Sequence, residues 1–181
     1  ERLEELERRQ RSRFEALESL DWAETQRLLS VQLSALGPAR FAREIALPLV
    51  QEIGARWADG RMGIASEHLA TSVLRSLLGA ALQPTVSSLR GPRIVFATPS
   101  GERHELGLLM AALTALGAGA NPLYLGVELP VEDLLDVVEA TGAAAAARAP
   151  GNSLAALRQQ LHALADAFAA PTGRSVAAMV A

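Results

Sequence analysis

The sequence predicts an α + α/β chain: a four-helix bundle followed by a doubly wound parallel sheet. Three observations predict it. The first 83 residues carry four helix-period segments separated by short breaks. Residues 84–92 are rich in Pro, Ser, Thr and Gly, the composition of a linker. From residue 93 onward, strand-like apolar runs alternate with helical patterns, which favours parallel strands joined by helical crossovers. The expected division is therefore a bundle over 1–83, a linker over 84–92 and a sheet domain over 93–181.

The first 20 residues are rich in Glu and Arg, with Leu3, Leu6, Phe14 and Leu17 as sparse apolar points. This is a helix with much solvated surface. Asp21-Trp22-Ala23-Glu24 is a capping signal, with an acceptor at the N-cap and a carboxylate three residues on. The second helix should end at Gly37-Pro38, and Pro38 suits the first turn of a third. Phe41, Ile45, Leu49, Ile53 and Trp57 recur every four residues as one stripe, and Pro48 should bend the helix that carries them. Asp59 to Gly63 is the next break. A fourth helix follows from Ile64 to Leu82, with Leu69, Ala70, Val73, Leu74, Leu77 and Leu78 facing inward.

In the second half, Arg93 to Thr98 reads as a buried strand, and Leu106, Leu109, Met110 and Leu113 as one helix face. Asn121 to Gly126 is a second strand, preceded by the turn-like Gly117-Ala118-Gly119. Pro130 to Ala140 is a helix with Pro and acidic residues at its start. Ala143 to Ala149 is a candidate third strand, despite the poor β propensity of Ala. Leu154 to Phe168 reads as a helix and Ser175 to Ala181 as a fourth strand. Ending on a strand, the sheet is expected to be C-terminally incomplete.

The bulk composition of the 181 residues narrows the function classes. A net charge of −3 is not that of a free-standing nucleic-acid binder. The absence of Cys excludes disulfides, thiolate metal sites and Cys nucleophiles. Three histidines, His68, His104 and His162, nearly exclude a multi-histidine zinc site. No apolar run reaches membrane-spanning length. The charged, helical N-terminus is no signal peptide and reads like a chain cut from something longer. A cytoplasmic, non-membrane protein is expected. No nucleophile–base pair and no phosphate-binding loop is present, so an enzyme is not expected.

Two short motifs carry chemistry. Trp57 is followed by Glu67 and His68, one turn into the next helix. Gly101-Glu102-Arg103-His104-Glu105-Leu106-Gly107 directly follows the first strand. Open parallel sheets bind ligands beyond the carboxyl ends of their strands, where His104 lies. A carboxylate such as Glu102 can accept the second N–H of a metal-binding imidazole and fix its tautomer. Gly107 removes a side chain where the helix would approach a flat ligand. Taken alone, His104 reads as a solvated loop residue and Trp57 as a core anchor. Together the motifs describe a flat cofactor clamped between a helical lid and an α/β floor.

The pair, in this order, resembles the light-sensing cobalamin-binding modules of MerR-type transcriptional repressors (CarH type), over nearly the whole chain. Trp57-x9-Glu67-His68 matches their helical-lid signature, and Glu102-Arg103-His104-Glu105-Leu106-Gly107 their acidic-x-His-x-x-Gly motif. The resemblance implies a Rossmann-like cobalamin-binding sheet domain with adenosylcobalamin as cofactor and His104 as lower axial ligand of cobalt. Trp57 and Glu67 would contact the upper 5′-deoxyadenosyl group, with His68 nearby. Light would break the cobalt–carbon bond, shift the bundle and change a homo-oligomer. DNA would be bound only through a winged helix upstream of the bundle, which this sequence lacks.

Three departures stand out. The family prototype has a His directly after the motif Trp, where this chain has Ala58. A Ser-x-Leu element after the third strand is replaced by Ala149-Pro150-Gly151. A Gly-Gly pair normally follows the fourth strand, where the sequence stops at Met179-Val180-Ala181. Two related functions stay open: a corrinoid carrier of a methyltransferase system, and a sensor that also binds a linear tetrapyrrole. A purely structural interaction module is the third.

Overall fold

A computed structural model of the chain describes residues 2–83, 91–100, 104–143 and 145–148. Its elements are α1 (Arg2–Glu18), α2 (Trp22–Leu36), α3 (Pro38–Phe41), a π-helical segment (Ala42–Ala46), α4 (Leu47–Ala58) and α5 (Ile64–Leu82). Then come β1 (Arg93–Pro99), α6 (Glu105–Gly117), β2 (Asn121–Leu129), α7 (Val131–Thr141) and β3 (Ala145–Arg148). The architecture is the expected one, helices first and a small open parallel sheet after. The expected helix at 154–168 and strand at 175–181 lie outside the described residues.

Local chemistry sets the helix boundaries. The Asp21 carboxylate accepts the Glu24 N–H at 2.9 Å, as the capping signal requires. The reciprocal half of the capping box is not made. The Asp21 N–H is already bound to the Ala16 carbonyl at 2.9 Å, and the Glu24 carboxylate takes Arg27 through two contacts of 2.6 Å. Gly37 ends α2 with φ +75°, a conformation cheap only for glycine, and donates to the Leu33 carbonyl. Gly60, φ +69°, turns the chain after α4. The same loop is pinned by Met62, whose side chain is buried in the core.

The third predicted helix is interrupted more than Pro48 alone would require. Residues 42–46 wind as a π-helical segment immediately ahead of that proline. The four-residue stripe also does not stay on one face. Within α4 each four-residue step advances about 40°, so the series drifts off the buried face towards Trp57. Phe41, Leu49 and Ile53 are buried, Ile45 is half-buried, and Trp57 is 56% exposed. The reading of Trp57 as a core anchor is thereby corrected.

The sheet runs β2-β1-β3, all parallel, with Ile94 opposite both Pro122 and Ala145. Ile94 to Thr98 are all buried, as expected of a strand covered on both faces. The two crossovers run in opposite directions from β1 and β2. Right-handed connections therefore put α6 and α7 on opposite faces of the sheet. The strand order reverses at β1, so the binding crevice of such a fold opens between the carboxyl ends of β1 and β3. Near that end β2 is irregular. Leu125 and then a second residue are extra against β1, Gly126 and Glu128 take positive φ, and the Glu128 N–H donates to Thr98 Oγ1 at 3.0 Å.

Helix α6 joins the two halves. Leu108 to Ala115 are buried without interruption, so the helix has no solvated face over two turns. It packs on β1 and β2 on one side and on α3, the π-helical segment and α5 on the other. One core results, from Phe41, Leu74 and Leu78 of the bundle to Ile94 and Phe96 of the sheet. Each such side chain contributes about 1.5–3 kcal/mol by leaving water. At its end α6 meets α3 at backbone distance, and a Cβ on Gly117 would fall 2.3 Å from Ala39 Cβ. Gly117→Ala should lower the unfolding free energy by about 1–3 kcal/mol through overpacking, measured by denaturant titration without cofactor. Ala39→Gly in the same chain should recover most of that loss.

Candidate functional site

His104 is the residue just before α6, with φ −76° and ψ 67°, and it is exposed. Its position follows from the strand–loop–helix connection after β1, which carries it to the carboxyl end of the sheet beside the crevice. Glu102, its expected carboxylate neighbour, lies outside the described residues. Gly107 stands in the first turn of α6, half-buried.

The other motif sits where α4 ends and α5 begins. Trp57 is in the last turn of α4, with its indole largely in solvent. Glu67 is in the first turn of α5, half-buried, and accepts from Thr71 Oγ1 at 2.8 Å. His68 is exposed, with Nδ1 3.4 Å from Glu67 Oε2. Glu67 and His68 are thus brought together. A large exposed indole and a carboxylate held by one hydroxyl are available at this end of the bundle.

A third group, which motif reading missed, links the two. Glu67, Thr71 and Arg75 lie four residues apart along one side of α5. Arg75 Nε contacts Glu105 Oε2 at 2.6 Å, and Glu105 directly follows His104. The hydroxyl of Tyr124, on β2, donates to the other oxygen, Oε1, at 3.2 Å. Glu67 and Arg75, which holds the residue next to His104, therefore lie along α5 about 12 Å apart on its axis. Arg75 and Tyr124 lie 30 and 19 residues from Glu105 in sequence, so no local spacing signals the group.

Among the described residues, no group of three or more His, Cys, Asp or Glu could hold a bare metal ion. His104 and His68 are both exposed imidazoles, a side chain whose neutral ring nitrogen can bind a metal. Among the described residues, no helix is long and apolar enough to cross a membrane.

Comparison with known proteins agrees in kind. Residues 11–82 match a family model described as a B12 binding domain. The chain is 32% identical over 123 residues to the HTH-type transcriptional repressor CarH of Myxococcus xanthus, covering 68% of this chain and 41% of that protein. It is 30% identical over 127 residues to CarA of the same organism, covering 70% of this chain and 42% of that one. The chain thus spans about two fifths of the length of these relatives. Both are named as HTH-type transcriptional repressors. Among solved structures, the monomethylamine corrinoid protein of Methanosarcina barkeri superposes with a TM-score of 0.54 at 18% identity, covering 82% of this chain and 74% of that one. This likeness extends the shared fold across both halves.

Burial first, then the Glu105 charge, pushes the Tyr124 phenol far above its ordinary value of 10.0. It is the chain's single tyrosine, so its titration can be watched directly. Absorbance should show no phenolate up to about pH 11 in the folded protein and a normal transition in denaturant. The folded state keeps a proton that the unfolded state releases near pH 10, so this group's contribution to stability is complete below that pH and falls as pH rises above it.

Proposed function

Because this chain is a B12-binding module related to the CarH- and CarA-type transcriptional repressors, we propose that it is a light-responsive sensor that reads the upper ligand of adenosylcobalamin. His104 would hold cobalt from below through one imidazole nitrogen. Trp57 would cover the adenosyl group with its indole face, and Glu67 would accept hydrogen bonds from the sugar hydroxyls. His68 stands beside Glu67, where it can orient the carboxylate or take part in the lit state. The cofactor supplies a cobalt–carbon bond that light breaks. Loss of the adenosyl group would leave Trp57 and Glu67 without their ligand and would so remove its bias on the position of the bundle.

The observation that carries this reading is the row on α5. The carboxylate of Glu67 stands at one end of it and Arg75, bound beside His104, at the other. Glu67 and the ion pair next to His104 thus lie along one helix, which supports a site between bundle and sheet. The 56% exposure of Trp57 adds to this, because an indole left in solvent is available to a ligand. The net charge of −3 gives the chain little attraction for DNA by itself. An effect on transcription would act through a further domain, with a change in homo-oligomeric state as the signal.

The test is an absorption spectrum and a light-scattering mass of the adenosylcobalamin-loaded protein, dark and illuminated. Nitrogen-ligated cobalt in the dark and a change of oligomeric state on illumination are expected. Illumination without any change of mass would point to a corrinoid carrier instead. His104→Ala should convert the bound cofactor to the spectrum without nitrogen ligation, and an unchanged spectrum would remove His104 from the lower position. Trp57→Ala should reduce the preference for adenosyl- over methylcobalamin by up to about tenfold, the worth of one aromatic contact.

A further inference from the structure

The Glu105 carboxylate is held from two sides by groups outside its own helix. Arg75 reaches it from the bundle at 2.6 Å and Tyr124 from the sheet at 3.2 Å. Each takes a different oxygen. Glu105 opens α6, where a negative charge also meets the unpaired N–H groups of the helix start. With both oxygens engaged, Glu105 fixes the first turn of α6, and the backbone of His104 is the next residue back along the chain.

We propose that Arg75 and Tyr124 are positioning residues for His104: together they clamp Glu105 and fix the turn that carries the lower ligand, and Arg75 ties that turn to the bundle, so that bundle position and cobalt ligation are coupled. The proposal rests on the reading of His104 as the lower ligand. The bundle end of the clamp is Arg75, on the same side of α5 as Glu67 and two turns away. A displacement of α5 that alters the Glu67 end therefore pulls on the turn that carries His104. Coupling of this kind is reciprocal. If ligation favours the clamped bundle, loss of the clamp weakens ligation by the same factor. The ion pair is partly open, with side-chain exposures of 51% for Arg75 and 26% for Glu105, so the factor is modest.

The experiment measures the ratio of nitrogen-ligated to unligated cobalamin at saturating adenosylcobalamin, alongside hydrogen exchange in the cofactor-free protein of the Leu108–Ala111 amides, the first whose partners are carbonyls of the opening turn of α6. Arg75→Met and Glu105→Gln should each lower the ratio by about two- to fivefold. The double variant should be no worse than either single one, since both remove the same contact. Arg75→Lys should restore most of the ratio, and Tyr124→Phe should give a smaller loss that adds to that of Arg75→Met, since it frees the other oxygen. In the cofactor-free protein, Arg75→Met should speed exchange of the Leu108–Ala111 amides. Unchanged ligation in Arg75→Met and Glu105→Gln overturns the coupling, as do additive losses between those two. If the wild-type protein shows no nitrogen ligation, or His104→Ala leaves it unaltered, the lower-ligand reading fails instead. The clamp is then judged by exchange alone, and Leu108–Ala111 amides equally protected in wild type and Arg75→Met dismiss it.

Discussion

A single helix wanted by two layers is the constraint on which this molecule depends. Leu108 to Ala115 of α6 are buried all round, so the helix cannot rest on the sheet alone. It must be covered on its outer side, and α3, the π-helical segment and α5 are what cover it. A surface helix keeps an apolar stripe and a solvated back. This one has no such back in its middle, and the bundle is therefore part of the sheet's core rather than an appendage. Separating the halves would expose several large apolar side chains at once, at a cost of many kcal/mol.

That shared core explains how polar groups at the rim can be placed with so few contacts. Arg75 and Glu105 meet because the helices that carry them are already locked together by Leu74, Leu78, Leu109 and Leu113. The ion pair itself adds little stability. Its value is in orientation, since it sits one residue from an exposed imidazole at the carboxyl end of β1. The sheet contributes the opening, because strand order reverses at β1. The bundle contributes an indole and a carboxylate at the break between α4 and α5. On the proposed reading, neither half carries all the groups of the site.

Much of the fold could be read from local chemistry. Asp21, Gly37-Pro38, Gly60 and the apolar run of β1 act within a few residues of themselves, and each stands where its sequence signal put it. The short alanine strand β3 also forms, since pairing with β1 compensates for weak propensity. What could not be read depends on distance or on drift. The π-helical segment carries no composition signal. The requirement for glycine at 117 exists only because Ala39 of another helix lies there. Trp57 continued an apolar four-residue series, yet that series turns around the helix and leaves the indole in solvent. For the site, motif order named Trp57, Glu67, His68 and His104, whereas Arg75 and Tyr124 emerge only when three elements are packed.

The close approach of Gly117 to Ala39 makes α6 a lever with a fixed end. Two small residues at backbone distance leave no side chain to deform, so that contact resists sliding and tolerates rotation. The opposite end, at Glu105, lies about 18 Å away along the axis. A tilt of roughly ten degrees about the fulcrum would sweep that end through about 3 Å, the length of a hydrogen bond. Were α6 to tilt about that contact, the displacement would be greatest at Glu105 and the imidazole before it, and least beside Gly117.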